Sequence, residues 1–541
     1  MGAENQTAKL NTDYTYMMRK IFLFALFIVA GSLLKAQTRL RLYDNYNSDN
    51  LYTNDTIVHT VWKPVLYADT LLETDKSRPW LQRKFFKEHL LQVQQNGFNI
   101  YGDVIINEQF GVSNRYNKKI GGKTINVKSP WIDTRGYEVS GNIGNKFYFE
   151  TNFYENQGKF GGYIDSFIRK YFVIPSQNNY KNIGDGSGFD FSSSSARLTY
   201  VPNKHLLFDL GYGKNFIGDG YRSLLLSDCS ISYPYFRTSL TFNKFQYSVM
   251  WSEYLSTVDK SQYNKLGLFR KWAQTYVIDW NAAPGLNLSL FESVIWPDQT
   301  HTPGYRGKDV SPWLASPVIF LHGSSSPSGV SNNDVVGLNA KLKIYSRSYV
   351  YGQVIVDELG KSSSFKNRTG FQLGLRSNDV FEMPGLNFLA EFNTVRPYTY
   401  AAASQDVSYS NANQALGDPL GANFTEGLVL ATYRYKKWNF RLEGFVATYG
   451  VDSGSANYGH NVLALLPLQP PVSGSVTTGQ GVSTKLTFVD FKTAYTLNPQ
   501  SNLRIEAGLT YRREHNDLAN YKDVIFSIGV RTSFNNLLYD F

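Results

Sequence analysis

Residues 211–228 read GYGKNFIGDGYRSLLLSD, a run of glycines around a lysine that could in principle cradle a phosphate. A P-loop, GxxxxGK[ST], wraps phosphates in backbone N–H groups and sends its lysine to the terminal ones. Gly213 and Gly218 keep that spacing, but Asp219 and Gly220 stand where Lys and Ser or Thr are required. The dinucleotide fingerprint fails too, because Phe216 takes the third glycine's place and no amphipathic helix follows to hold an anion at its N-terminus. The glycines therefore serve geometry, with Gly218 and Gly220 letting a loop turn sharply and fold inward. Lys214 and Arg222 remain as the groups that could meet an acidic ligand.

Sugars are held by aromatic faces and planar hydrogen-bonding groups, and acidic sugars also by Arg or Lys. Three stretches carry that mixture: Lys214, Tyr221, Arg222 and Tyr233; then Trp296, His301, Tyr305, Arg306 and Trp313; then Arg396, Tyr398 and Tyr400. Catalytic chemistry has less to work with. There are seven His, no GxSxG and no HExxH, so a hydrolase is disfavoured, and His301, His322 and His515 are its only candidates for a test. The single Cys229 excludes a disulfide framework and a cysteine zinc site. We expect no enzyme, no cofactor and no metal.

The elements that position these residues follow from compartment and periodicity. MMRKIFLFALFIVAGSLLKAQ (residues 17–37) orders a basic pair, an apolar run and a small residue as a secretory signal peptide does, with cleavage expected after Ala36. The residues before Met17 read as an upstream start-site extension. Residues 1–36 hold four cations and two acids, so removing them lowers the net charge from +10 to +8. An exported basic chain favours anionic partners such as acidic surface polysaccharide and disfavours nucleic acid. Beyond residue 37 no apolar window is long enough for a transmembrane helix.

Tyr and Phe are abundant, and period-two alternation dominates residues 97–541. It predicts strands at 98–110, 136–144, 146–157, 193–202, 204–213, 234–243, 244–254, 272–281, 285–296, 334–346, 348–359, 369–378, 386–396, 425–436, 437–448, 484–496, 502–513 and 523–534. Tight turns such as Gly144-Asn145-Lys146 and Asn243-Lys244 interleave with long connections, the last expected over 514–522. Strands of about ten residues, apolar on one face and joined alternately by short and long connections, describe an all-β transmembrane antiparallel barrel of about 18 strands in outer-membrane lipid. An open edge there would strand backbone groups at several kcal/mol each, so the sheet must close. Short turns and both termini are then expected on the periplasmic side, long loops outside. Phe147, Tyr200, Phe245, Tyr247, Trp438 and Tyr495 fit an interfacial girdle near the short turns.

Residues 37–96 read as a periplasmic extended and helical segment, with a helix capped by Ser77, entered at Arg78-Pro79 and ended by Gly97. HTVWKP (59–64) reads as an extended stretch packed on it, and a metal role for lone His59 is disfavoured. Inward-facing charges of both signs, among them Asp209, Lys341, Asp357, Glu391, Arg441 and Glu506, point to a lumen filled by ion pairs, with solvated walls of an open pore as the alternative.

GYGKNFIGDGYRSLLLSD continued by SYPYFRTSLTF resembles the glycine-rich segment of the Wzi family of outer-membrane capsule-assembly proteins. HTVWKP followed by a helix, and the tail RTSFNNLLYDF, resemble its gliding-motility, RemB-like branch, and the terminal aromatic looks like a barrel-assembly signal. The resemblance implies an eighteen-stranded barrel with a short periplasmic helical element. It also implies a non-enzymatic lectin that holds capsular polysaccharide or supports adhesion and motility, alongside capsule, secretion or motility machinery. No family ligand residue transfers position by position. A transport channel, porin-like or for hydrophobic ligands, is the competing expectation.

Overall fold

The computed structural model describes residues 39–43, 59–69, 77–95, 97–114, 117–120, 123–126, 128–256, 270–297, 316–321, 332–357, 367–469, 471, 476–533 and 538–541. The signal-peptide reading lies outside them. Eighteen strands form the wall: β1 (Phe98–Ser113), β2 (Trp131–Ile143), β3 (Phe147–Lys159), β4 (Gly188–Asn203), β5 (Leu206–Gly213), β6 (Tyr233–Phe242), β7 (Phe245–Leu255), β8 (Arg270–Ala283) and β9 (Leu286–Pro297). The second half is β10 (Asn333–Tyr345), β11 (Ser348–Asp357), β12 (Thr369–Ser377), β13 (Leu386–Val395), β14 (Phe424–Tyr435), β15 (Trp438–Val451), β16 (Val482–Asn498), β17 (Leu503–His515) and β18 (Asn520–Arg531). Each strand pairs antiparallel with the next. β18 returns to β1 from Ile525 opposite Ser113 to Arg531 opposite Asn107, so the barrel is closed.

Its wall is inverted relative to a protein that folds in water. Along β17 the outward Ile505 and Leu509 are about half exposed, while the inward Arg504, Glu506 and Arg512 are buried. Val104, Ile106 and Phe110 of β1 and Phe526, Ile528 and Val530 of β18 extend the same apolar exterior. Such a belt is stable only against hydrocarbon, which makes this an outer-membrane β-barrel. Aromatics gather near the short turns: Phe147 stacks on Tyr200 at 4.3 Å, Phe245 on Trp280 at 5.6 Å, and Trp438 meets Tyr495 at 5.1 Å.

Three expectations need correction. The expected long connection over 514–522 is a four-residue link, 516–519, because β17 and β18 keep pairing to His515 opposite Asn520. The helix expected over 77–96 is only α1 (Trp80–Phe86), preceded by Pro79 without a side-chain cap. Leu91–Gln95 then forms a short strand on the free lower edge of β1, pairing Gln95 with Phe98 and Leu91 with Gly102. HTVWKP does not pack on α1. It enters the lumen, where Trp62–Lys63 pairs antiparallel with Phe216–Ile217 of the glycine-rich loop. The described tail residues 538–541 also lie in the lumen, where Phe541 packs on Tyr163 and Phe167. Its neighbour there is α2 (Gly162–Tyr171), in the β3–β4 connection.

Candidate functional site

The glycine-rich loop leaves β5 at Gly213, crosses the lumen and is held by the opposite wall. Ser223 ties the loop to itself, donating from Oγ to the Ile217 carbonyl at 2.5 Å and accepting the Leu225 and Leu226 N–H groups. Gln353 of β11 accepts the Leu224 N–H at 2.8 Å and donates to the Ile217 carbonyl, and Gln372 of β12 donates to the Arg222 carbonyl. Glu391 of β13 accepts the N–H groups of Tyr221 and Arg222. A Cβ on Gly218 would meet Gln353, and one on Gly220 would meet Glu391, so the two glycines admit the side chains that grip the loop. Gly218 also sits at φ +148°, a conformation open to glycine. Gly211 has a third purpose: a Cβ there would strike the Tyr235 ring on β6.

Charge closes the plug. Arg222 donates to Asp540 at 2.6 Å and to Glu426 of β14 at 3.2 Å, joining loop, tail and wall. Asp219 pairs with Lys341 at 3.1 Å and accepts from Asn339 and Thr60. Burial opposes ionisation of Asp219, but Lys341 and Lys63 outweigh it and hold the carboxyl well below the ordinary range. His59 contacts Asp279 at 2.6 Å, and the Trp62 indole donates to Asn215. Leu224, Leu225 and Leu226 are fully buried in one apolar cluster with Ile217, Tyr400 and Tyr409. Among the described residues the lumen is thus divided, with a vestibule at each end.

The long-loop vestibule is a cavity of about 540 Å³. Its walls are Tyr163, Phe167 and Tyr171 of α2, Tyr449 of β15, Tyr521 of β18 and the loop residues Asn413, Gln414 and His460; Tyr221, Arg222 and Phe541 also line it. His460 lies flat on Tyr449 at 4.6 Å, and burial lowers its pKa, which keeps the ring neutral. Arg512 sits 4.9 Å over Tyr163 and pairs with Glu514 at 2.8 Å. Asn413 Nδ2 donates to the Tyr171 carbonyl and Gln414 Oε1 accepts the Ser176 N–H, so both amides pin the cavity wall, with Asn413 Oδ1 and Gln414 Nε2 buried behind it. At the short-turn end a cavity of about 920 Å³ is lined by Arg39, Asp103, Glu138, Arg434, Lys436 and Arg504, with other charged groups.

Of the site residues read from the sequence, Tyr221 and Arg222 reach the long-loop vestibule. Lys214 is half-buried and does not line it; its ammonium is bonded to Ser176, and partial burial lowers its pKa to about 8. Tyr233 is buried against Tyr254 at 4.8 Å, and its hydroxyl accepts the Asn215 N–H. Trp296 packs beside Trp272 and Val294. Arg396 donates to the Val476 carbonyl and Tyr398 to that of Asn457, so both pin neighbouring loops. Tyr305, Arg306 and Trp313 lie outside the described residues. The vestibule wall supplied by α2 escaped the sequence reading, although Ile164, Phe167, Ile168 and Tyr171 repeat at helical spacing.

No protein-family model matches the sequence, and no curated protein matches it. Solved structures share its general shape at low identity. Wzi of Escherichia coli, described as a carbohydrate-binding β-barrel involved in group 1 capsule assembly, aligns with a TM-score of 0.49 and 14% identity over 80% of this chain and 85% of its own. OprD of Pseudomonas aeruginosa aligns at 0.41 and 9% over 83% and 97%, and OccAB2 of Acinetobacter baumannii at 0.40 and 10% over 81% and 98%. No alpha-helix of the described residues is long and apolar enough to cross a membrane.

Proposed function

We propose that this barrel binds acidic surface polysaccharide in its long-loop vestibule and holds it at the cell surface, in capsule attachment or in adhesion and gliding motility. The carrying observation is the cavity itself. Tyr and Phe faces, Lys170 and the Arg512–Glu514 pair meet over a floor that is sealed. Aromatic faces match the C–H faces of sugar rings, and the two cations suit a uronic or otherwise acidic residue. The sealed floor favours retention over passage, which sets this reading above a transport channel. In this reading the long loops face outward and both termini lie in the periplasm.

Binding of the purified barrel to acidic polysaccharide from its own cell surface, with neutral dextran as control, tests the proposal. Saturable retention of the acidic polymer alone is expected, and equal affinity for both would sink the acidic-ligand reading. A deletion strain then separates the roles. Lost surface polysaccharide marks attachment, whereas intact polysaccharide with lost spreading marks the motility branch and its machinery proteins.

A further inference from the structure

α1 is inside-out. Its charged side chains turn toward the barrel: Arg83 and Lys84 both reach the buried Glu88, at 3.2 and 3.1 Å. Asn498 at the end of β16 donates to the Lys84 and Glu88 carbonyls, and Lys84 donates to that of His89. His89 is in turn bonded to Asp103 of β1 at 2.5 Å, and the Leu90 N–H donates to the same carboxylate. These polar contacts fix the helix along the rim between β16 and β1. Its apolar side chains turn away: Trp80 and Leu81 are 57% and 61% exposed, Phe85 58%, Phe86 47%.

Water would not tolerate that arrangement in so short a stretch, but lipid would. The apolar face also continues the lipid-facing wall. Leu91 sits opposite Gly102 and Val93 opposite Ile100, on the outward face that carries Val104, Ile106 and Phe110. We propose that α1 is an interfacial anchor seated in the phospholipid leaflet at the short-turn end, with Trp80, Phe85 and Phe86 at the boundary between headgroups and acyl chains. Exposed Lys87 at its end faces the lipid phosphates. The occupant is lipid because the surface is continuous with the belt that already contacts lipid.

The test uses the full barrel carrying Cys229→Ser and Phe85→Cys, labelled with an environment-sensitive dye and reconstituted in phosphatidylethanolamine–phosphatidylglycerol vesicles. A matching label at Asp185→Cys, on the exposed β3–β4 connection, reports water. We expect the Phe85 label to be blue-shifted, quenched by lipid-borne spin labels near the headgroup and shielded from aqueous iodide. A spectrum like that of the Asp185 label would overturn the proposal. So would a water-like signal in vesicles that becomes shielded only in intact envelopes, since a protein would then cover this face. Because the label site could disturb the helix, a second chain carries Trp80→Ser and Leu81→Ser with the barrel fold checked by heat-modifiable gel mobility. Its α1 should lose protection from trypsin at Arg83 and Lys84 in vesicles, and unchanged protection would count against the anchor.

Discussion

The two vestibules lie at opposite ends of one lumen and share the same strands, yet they are walled differently. At the short-turn end charge dominates: Glu506 accepts from Arg504 at 2.9 Å and from Arg531 at 3.1 Å, Lys492 meets Asp490, and Arg347 meets Asp379. Arg39 adds a guanidinium 4.1 Å over Tyr101 and a contact to His89. At the long-loop end aromatic faces dominate, with the rings of Tyr163, Phe167, Tyr449 and Tyr521 lining the cavity. Paired charges gain little from a ligand, whereas an exposed aromatic face such as that of Tyr521 offers apolar area for a sugar ring to cover. The plug between the two makes this difference possible.

Removing the keystone of that plug should give the largest effect. Arg222→Ala leaves Glu426 and Asp540 buried near Glu391 without their cation, at a cost of about 3–5 kcal/mol. Urea unfolding of the reconstituted barrel should shift accordingly, and planar bilayers should show openings that the parent lacks. Steady large conductance in the parent itself would erase the contrast between the two ends.

Next comes Gly218→Ala, which forces a side chain into φ +148° and against Gln353, at about 1–3 kcal/mol. The Asp219 pair beside it predicts a pH dependence. Its folded pKa is depressed, so its contribution is present above the ordinary carboxylate value, near about 4, and is lost as pH falls toward the depressed one. Unfolding midpoints should therefore fall below about pH 4, and Asp219→Asn should flatten that part of the profile.

The wall was legible because alternation records its pleat directly: each predicted strand overlaps one observed strand, in order. What fills the lumen was legible only in part. Mixed inward charges announced ion pairs, but the Trp62–Ile217 pairing spans more than a hundred residues of sequence and leaves no local trace. Leu91–Gln95 was hidden because two apolar residues in LQVQQ cannot distinguish a strand from the end of a helix. Lys214 and Tyr233 were chosen by residue type, and type does not reveal that the chain buries Tyr233 and spends the Lys214 ammonium on Ser176. Tyr221, from the same loop, reaches the cavity because it lies at the turn's far edge.

At the long-loop end, Tyr521→Ala removes a half-exposed aromatic face and should weaken acidic-polysaccharide binding by about 1 kcal/mol, roughly fivefold, while leaving unfolding unchanged. Lys170→Ala on the exposed side of α2 should act on acidic but not neutral polymer.

The smallest effect is expected at the other end, and it is the sharpest check on the comparison. Arg434 lines the short-turn vestibule as an exposed cation, so Arg434→Ala should change unfolding by less than about 0.5 kcal/mol. Polysaccharide binding to the detergent-solubilised barrel, where both ends are accessible, should not change either. A binding loss equal to that of Tyr521→Ala would put the acidic polymer on charge instead of on aromatic faces. The short-turn vestibule, with its larger cavity and basic rim, would then be the binding end.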